Sequence, residues 1–484
     1  VDSADLIIVG GGIVGLSVAQ RAVLEGFSVI LFSPRDGLDS SASLAAGAML
    51  GAFGEITNDQ NSSTDNLETD FRIEASDQYE DWLTALTQES NQEILRGMGT
   101  FVIANTFGRN DLINVNAIQG KLSQHNRRFQ IVDENEVPGY SPNYKYAPRK
   151  VLFIPDEGYV NPTHVIAALQ STLKVSNKFK YHSLAIRQLI VENDRVIGVM
   201  DERGEKHYAA DVVIAAGTGT PALFENLPYK LSVPHLMPGK GTSLVVKTTQ
   251  QFPYVLRTPN RDFACGLHVV PRGGSELYIG ATNRTAACPG TNEGATIEEV
   301  HDLLHEVVHE FNTHLDSAVI KNIRYGSRPI CVDGHPLIGT TEVNGLSLAT
   351  GTYRNGVLMA PLIAEIIIDE LAGKNSRYLN PFKAKDRRIN ESLLASSNLF
   401  QKGAEGIVSF LPSPHGNLPY KRTEELTSFI EALLKLSFQS DDKVDQLRNE
   451  VKDLIKSQPM TETFAQLFFM LGERIDKIKI KSQS

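Results

Sequence analysis

A glycine turn between an opening strand and a helix, a later apolar strand that runs into glycine, and three apolar stripes near the C-terminus predict an α/β fold in several parts. The parts are a Rossmann-like dinucleotide-binding domain, an α+β substrate domain interleaved with it, and a C-terminal helical extension. Leu6-Ile-Ile-Val9 leads into Gly10-Gly-Gly-Ile-Val-Gly15. Val14, Val18 and Ala22 then recur at helical spacing ahead of an apolar run at 29–32, which makes a βαβ unit. From 58 to 65 the chain turns polar, and Phe71, Ala75, Tyr79, Trp82, Leu83 and Leu86 mark a helix before a strand at 100–103. A second domain is expected to begin there. The run 211–217 reads as a buried strand of the first sheet, whereas strands at 242–246 and 277–280 and a helix at 297–311 suit a return to the second domain. The expected division is 1–57, 150–230 and 325–388 for the first domain, 58–149 and 231–324 for the second, and 389–484 for a linker and the helical extension. The extension's stripes include Leu426, Phe429 and Leu433, then Val444, Leu447 and Val451, then Phe464, Leu467 and Leu471.

Composition narrows the function. With 484 residues, 41% hydrophobic and 21% charged, the chain has ordinary globular usage. Its net charge of −10 gives no counterion-release drive toward nucleic acid. The longest apolar run, 357–371, carries Glu365 and Asp369 and is short of the roughly 20 residues a spanning helix needs, so an integral membrane protein is not expected. Cys265, Cys288 and Cys331 lack CxxC spacing, which argues against zinc and disulfides. With no basic leader pattern in front of the first strand, a cytoplasmic location is expected. His301, His305 and His309 fall on one helical face, but the adjoining apolar stripe and the lack of an HExxH pattern favour a solvated face, and no metal is expected. No Gly-x-Ser-x-Gly elbow occurs either.

Gly10, Gly12 and Gly15 have the spacing of a dinucleotide fingerprint: a tight turn, close backbone approach to a pyrophosphate, and close helix-to-strand packing. The following helix would present its unpaired N–H groups to the phosphates. The second strand ends in Phe32-Ser33-Pro34 where an acid for the ribose hydroxyls is usual, and the nearest acid is Asp36. This motif alone does not separate NAD from FAD.

The C-terminal half does so through a resemblance. Gly326-Ser-Arg-Pro-Ile-Cys-Val-Asp-Gly-His-Pro-Leu-Ile-Gly339 and Ala349-Thr-Gly-Thr-Tyr-Arg-Asn-Gly-Val-Leu-Met-Ala360 resemble the closing signature of the D-amino-acid oxidase superfamily, nearest to its glycine oxidase and sarcosine oxidase-like members. Ser43-Leu-Ala-Ala-Gly47 with Met49-Leu50-Gly51, Pro155-Asp-Glu-Gly-Tyr-Val-Asn-Pro162 and the run 211–217 match in order, so the resemblance covers residues 1 to about 385.

The resemblance implies a glutathione-reductase-type FAD domain. Gly10, Gly12, Ile13, Val14, Gly15 and Ser43 would surround the pyrophosphate, and Ser33, Ala46, Gly47, Met49, Ala216 and Gly217 would be further cofactor contacts. Arg354, Asn355, Gly356 and Val357 would face the flavin pyrimidine edge at a helix N-terminus. Relatives with covalent flavin carry a cysteine where this chain has Gly326, which implies non-covalent FAD. Arg328 takes the place of the carboxylate-binding arginine, the alternative being a local pair with Asp333. Arg354 could line the pocket, brace the flavin or pair structurally. His268 stands where the family usually has a tyrosine, before Val270-Pro271-Arg272, and could accept from the substrate amine or only fill space. The implied activity is oxidation of a small amine or amino acid, such as glycine, sarcosine or a D-amino acid, by hydride transfer to flavin N5, with dioxygen returning the flavin to its oxidised form and yielding hydrogen peroxide. The alternative is a flavoprotein dehydrogenase, or an enzyme that oxidises a residue or carrier-bound amine of a partner protein docked through 421–484.

Overall fold

Runs of Leu, Ile and Val buried on both faces build the parallel strands of the first sheet, with helices against Leu6 and Ile8 on one face and Leu189, Val196 and Leu223 against Ile7 and Val212 on the other. The structure, a computed structural model, describes residues 3–34, 41–58, 60, 63–105, 110–225, 227–228, 231–234, 236–261, 266–285, 294–331, 334–385 and 387. Asp36, Asp333 and the proposed C-terminal helices and docking segment lie outside the described residues. The chain divides into two compact units, the first comprising 1–261, 265–283 and 292–388. Of the second, only the short strand β15 (Arg284–Thr285) is described.

In the first unit, one sheet contains β1 (Ser3–Val9), β2 (Val29–Phe32), β7 (Phe179–His182), β10 (Lys206–Ile214), β17 (Leu337–Thr340) and β18 (Leu346–Thr350), ordered β17-β18-β10-β1-β2-β7. A hairpin of β8 (Ile186–Glu192) and β9 (Arg195–Asp201) extends it from β10. β1 runs parallel to both β2 and β10, so the first glycine turn emerges beside the C-terminal end of β10. Helices α1 (Ile13–Leu24), α5 (Pro162–Lys174) and α7 (Gly356–Leu371) bury Leu16, Ala19, Leu169, Ile363 and Ile367 against Leu6 and Ile8. The helix α3 (Ser63–Ser90) joins the same core through Phe71, Ala75, Tyr79 and Leu83. Its polar start at 58–65 reads as the opening of the second domain, but its apolar stripe packs against the first sheet's helices.

The second sheet is ordered β11 (Leu236–Lys247), β14 (Glu276–Gly280), β13 (His268–Gly273), β12 (Val255–Arg257), β4 (Arg96–Asn105), β6 (Pro148–Val160) and β3 (Met49–Leu50). β5 (Gln130–Val132) pairs with β6, and β16 (Val319–Cys331) lies antiparallel to β11. Its two faces differ in chemistry. Leu244, Val246, Leu256, Val269, Leu277 and Ile279 point to a core closed by Leu303, Val307 and Phe311. The latter belong to α6 (Ile297–Glu306) and the π-helical turn Val307–Phe311, so the helix expected over 297–311 changes period at 307. α4 (Asp111–Gln124) packs on β4. Register places Arg324 and Arg328 of β16 on the opposite face, across from Ser243 and Gly239, with His268 directly opposite Arg257. That second face, with the short helix α2 (Ala42–Ala45) against it, carries the candidate site.

Candidate active site

The glycine turn has the geometry that a pyrophosphate needs. Gly10 holds φ at +118°, and a Cβ there would fall 2.3 Å from Ala215 O and 2.9 Å from Ala216 Cα. A Cβ on Gly15 would lie 2.0 Å from Gly10 O, so α1 can approach the turn only without that carbon. Gly12 caps α1 with no side-chain bond, and the first turn, which includes Ile13 and Val14, carries no acid to compete with an anion. Ser43 Oγ accepts from the Ile13 N–H at 3.1 Å, which seats that hydroxyl at the helix N-terminus. Ser33, buried at the end of β2, fits beneath Gly11, where a Cβ would be 2.8 Å from its own. Ala216 and Gly217 lie one residue beyond the end of β10, with Gly217 at φ +56° and nothing within 4 Å of a Cβ there. A second uncapped N-terminus is that of α7, where Asn355 caps without a side-chain bond and Gly356 and Val357 begin the helix. Two glycine-cleared, acid-free helix starts are the donor set a dinucleotide requires. The residues fit FAD.

Around the 41–50 segment, the second sheet supplies the walls. A Cβ on Gly47 would meet His268 Nε2 at 2.9 Å and Tyr278 Cε1 at 3.0 Å, and Met49 packs with Tyr159, Val270 and Tyr278. His268 is buried, and its Nδ1 lies 2.9 Å from Gly266 O, an arrangement in which Nδ1–H donates and Nε2 remains an acceptor. Burial pushes its pKa down to about 3 in spite of that bond, so the ring is neutral near pH 7.

Arg328 lies over Gly241, whose Cβ would come within 2.3 Å of the guanidinium. Its Nη1 donates to Thr282 O at 3.1 Å and to Asn283 Oδ1 at 3.2 Å. Both are neutral oxygens, and no carboxylate pairs with it among the described residues. The Asn283 amide continues to the Tyr353 hydroxyl at 2.5 Å, which ties Arg328 to the turn before α7. Arg354 in that turn forms an ion pair with Glu55 at 3.2 Å and stacks 4.6 Å above the Tyr353 ring. Glu55 also accepts from Arg257 at 2.8 Å, and Asn260 completes its shell. Burial works to raise the Glu55 carboxyl, but the two guanidiniums hold it well below the usual carboxylate range. Beside them Glu157 accepts from the Phe53 N–H at 2.5 Å and the Gly54 N–H at 3.2 Å, and burial raises its pKa.

The sequence-predicted residues thus gather in three groups: Gly10 to Gly15 with Ser33, Ser43, Ala216 and Gly217; Ala46 to Met49 with His268; and Arg328 with the 354–357 turn. Sequence reasoning missed Glu55, Arg257, Asn283 and Tyr353. The Gly239-Lys-Gly241 pair inside a strand was an available sign of close approach. Cys331 is buried, and its Sγ would lie 2.5 Å from a Cβ on Gly351. His301, His305 and His309 form a run of ring contacts with centroids 6.0 and 4.4 Å apart. No helix among the described residues is long and apolar enough to cross a membrane.

Fold and site together define a flavin-dependent oxidoreductase. The chain belongs to the FAD dependent oxidoreductase (DAO) family, whose model matches residues 5–370. It is 25% identical over 380 residues to the bifunctional protein ThiO/ThiG of Trichormus variabilis, covering 77% of this chain and 53% of that protein. It therefore spans about half the length of that relative. It is 26% identical over 389 residues to the glycine oxidase of Geobacillus kaustophilus, covering 78% of this chain and 96% of the relative. The crystal structure of that glycine oxidase superposes with a TM-score of 0.69 at 22% identity, covering 81% of this chain and all of the other.

Proposed function

We propose that the protein oxidises a small amino acid or its N-alkyl derivative, and that Arg328 binds the substrate carboxylate. One observation carries this reading: a guanidinium held in place by two neutral oxygens, with no acid partner among the described residues, keeps its charge available for an anion. The glycine oxidase names of several relatives support the amino-acid class. Arg354, compensated by Glu55, braces the turn before α7 and does not compete for the carboxylate. His268, neutral and with Nε2 as an acceptor, takes a hydrogen bond from the substrate amine and so fixes which face of the α-carbon is presented. The apolar wall of Met49, Val270 and Tyr278 excludes water on that side. Bound FAD would supply the acceptor for a hydride from the carbon that bears the amine, and would pass the electron pair to dioxygen to give hydrogen peroxide. The imine product then hydrolyses to an oxo acid and ammonia or an amine.

Oxygen uptake and peroxide release, measured with FAD-loaded protein offered glycine, sarcosine and small D-amino acids, test the reading. Turnover of at least one is expected. Silence with every member of the panel, with FAD fully bound, would overturn it in favour of a dehydrogenase or a protein-bound amine as substrate.

A further inference from the structure

Five consecutive carbonyls at the end of α2 are tied down by the second sheet. Arg324 Nη1 donates to Leu44 O at 2.9 Å, and Ser243 Oγ and Tyr278 OH donate to Ala45 O at 3.3 and 3.0 Å. Arg272 Nη2 donates to both Ala46 O and Gly47 O, at 2.9 and 3.0 Å, and the Val160 N–H donates to Ala48 O at 3.1 Å. A trans peptide directs its N–H opposite to its C=O. The Gly47 N–H shares a peptide with Ala46 O, and the Ala48 N–H shares one with Gly47 O. Both donors are therefore turned away from Arg272. Gly47 and Ala48 are buried, and neither N–H meets a protein acceptor among the described residues. Buried backbone donors left unpaired are rare, so two in succession mark where the acceptor atoms of a bound group belong. Ala48 keeps a φ of +54°, a conformation that a non-glycine residue holds only when its surroundings impose it.

Arg272 holds the peptide before Ala48 and the Val160 N–H holds the one after it. Arg272 is half-buried with its Nη1 shielded from solvent, stacks 4.9 Å from the Tyr278 ring and has no carboxylate partner among the described residues. A desolvated guanidinium bonded to two adjacent carbonyls fixes their direction more firmly than a neutral donor would, because both bonds are charge-assisted.

We propose that Arg272 is a positioning residue for the redox step: by clamping the Ala46 and Gly47 carbonyls, it aims the Gly47 and Ala48 N–H groups at the flavin ring and so raises the reduction potential of the cofactor. The inference rests on the reading that 46–49 line the flavin. A ring that gains electron density on reduction is stabilised in the reduced form by donors already aimed at it. Slackening the clamp lets the two peptides turn, and the reduced form loses most.

The test is a reductive titration of FAD-loaded full-length protein against a dye of known potential, with the visible flavin spectrum and FAD affinity recorded alongside. Arg272→Met is expected to shift the oxidised-to-reduced equilibrium at least tenfold toward oxidised flavin, about 30 mV for a two-electron couple. Arg272→Lys, which keeps a cation but not the fork, is expected to fall between wild type and Arg272→Met, and it decides alone should Arg272→Met fail to retain FAD. A wild-type potential in either FAD-loaded variant overturns the proposal and leaves the proposed function standing. Failure of the unmodified chain to bind FAD would instead strike the functional reading itself.

Discussion

Replacing Arg328 by Met removes the proposed carboxylate anchor while keeping a stem of similar length over Gly241. In the native site Nη1 is fixed by Thr282 O and Asn283 Oδ1, so little side-chain freedom is lost when an anion arrives. A hydrogen bond to a charged group contributes about 1.5–3 kcal/mol. At about 1.4 kcal/mol per factor of ten, that is roughly a 10- to 150-fold loss of affinity for a small carboxylate. The assay is titration of a non-oxidisable carboxylate such as acetate or glycolate, followed by its perturbation of the flavin spectrum. KM for the amino-acid substrate should rise with it. Arg328→Lys should lie between, because one ammonium cannot hold both neutral oxygens and offer a planar fork to the ligand. Carboxylate binding within twofold of wild type in FAD-loaded Arg328→Met would refute the reasoning.

Other consequences are equally specific. Gly15→Ala places a Cβ 2.0 Å from Gly10 O, so this variant should emerge without FAD and fail to take it up on reconstitution; recovery of equimolar flavin would contradict the fingerprint reading. His268 is neutral in the fold with a pKa of about 3, whereas an unfolded histidine titrates near 6.5. The unfolded state therefore binds more protons between those values, and stability falls as pH drops below 6.5. Between pH 7.5 and 5 the loss from this one group is about 2 kcal/mol, from about 1.4 kcal/mol per unit of pH. Urea midpoints of His268→Gln should show a shallower acid decline than wild type, and parallel declines would place the titration elsewhere.

Much of the fold was legible because its signals are local. The turn Gly10 to Gly15 needs glycine where its own backbone and Ala215 come within bond-like range, and those constraints appear directly in the spacing. The apolar runs of β1, β2 and β10 announce strands buried on both faces. The stripe on α3 was equally clear, but a stripe says only that one face is buried and not against what; its packing on the helices of the first sheet depends on tertiary contacts. The helix period at 297–311 gave no warning of the π-helical turn at Val307–Phe311. In the site, Arg328 and the 354–357 turn were visible through a motif. The Glu55, Arg257 and Arg354 cluster was not, since its members lie some 100 to 300 positions apart and meet only through the register of β12 and the 51–57 segment. Asn283 and Tyr353 escaped for the same reason: each is unremarkable until the fold links them to Arg328.

Oxygen-free titration of the FAD-loaded chain, with glycine or sarcosine in one series and methylamine in another, bears most directly on the central claim. The carboxylate-bearing amines should bleach the visible flavin band while methylamine at the same concentration leaves it unchanged. Equal bleaching by methylamine would show that Arg328 anchors nothing the reaction requires.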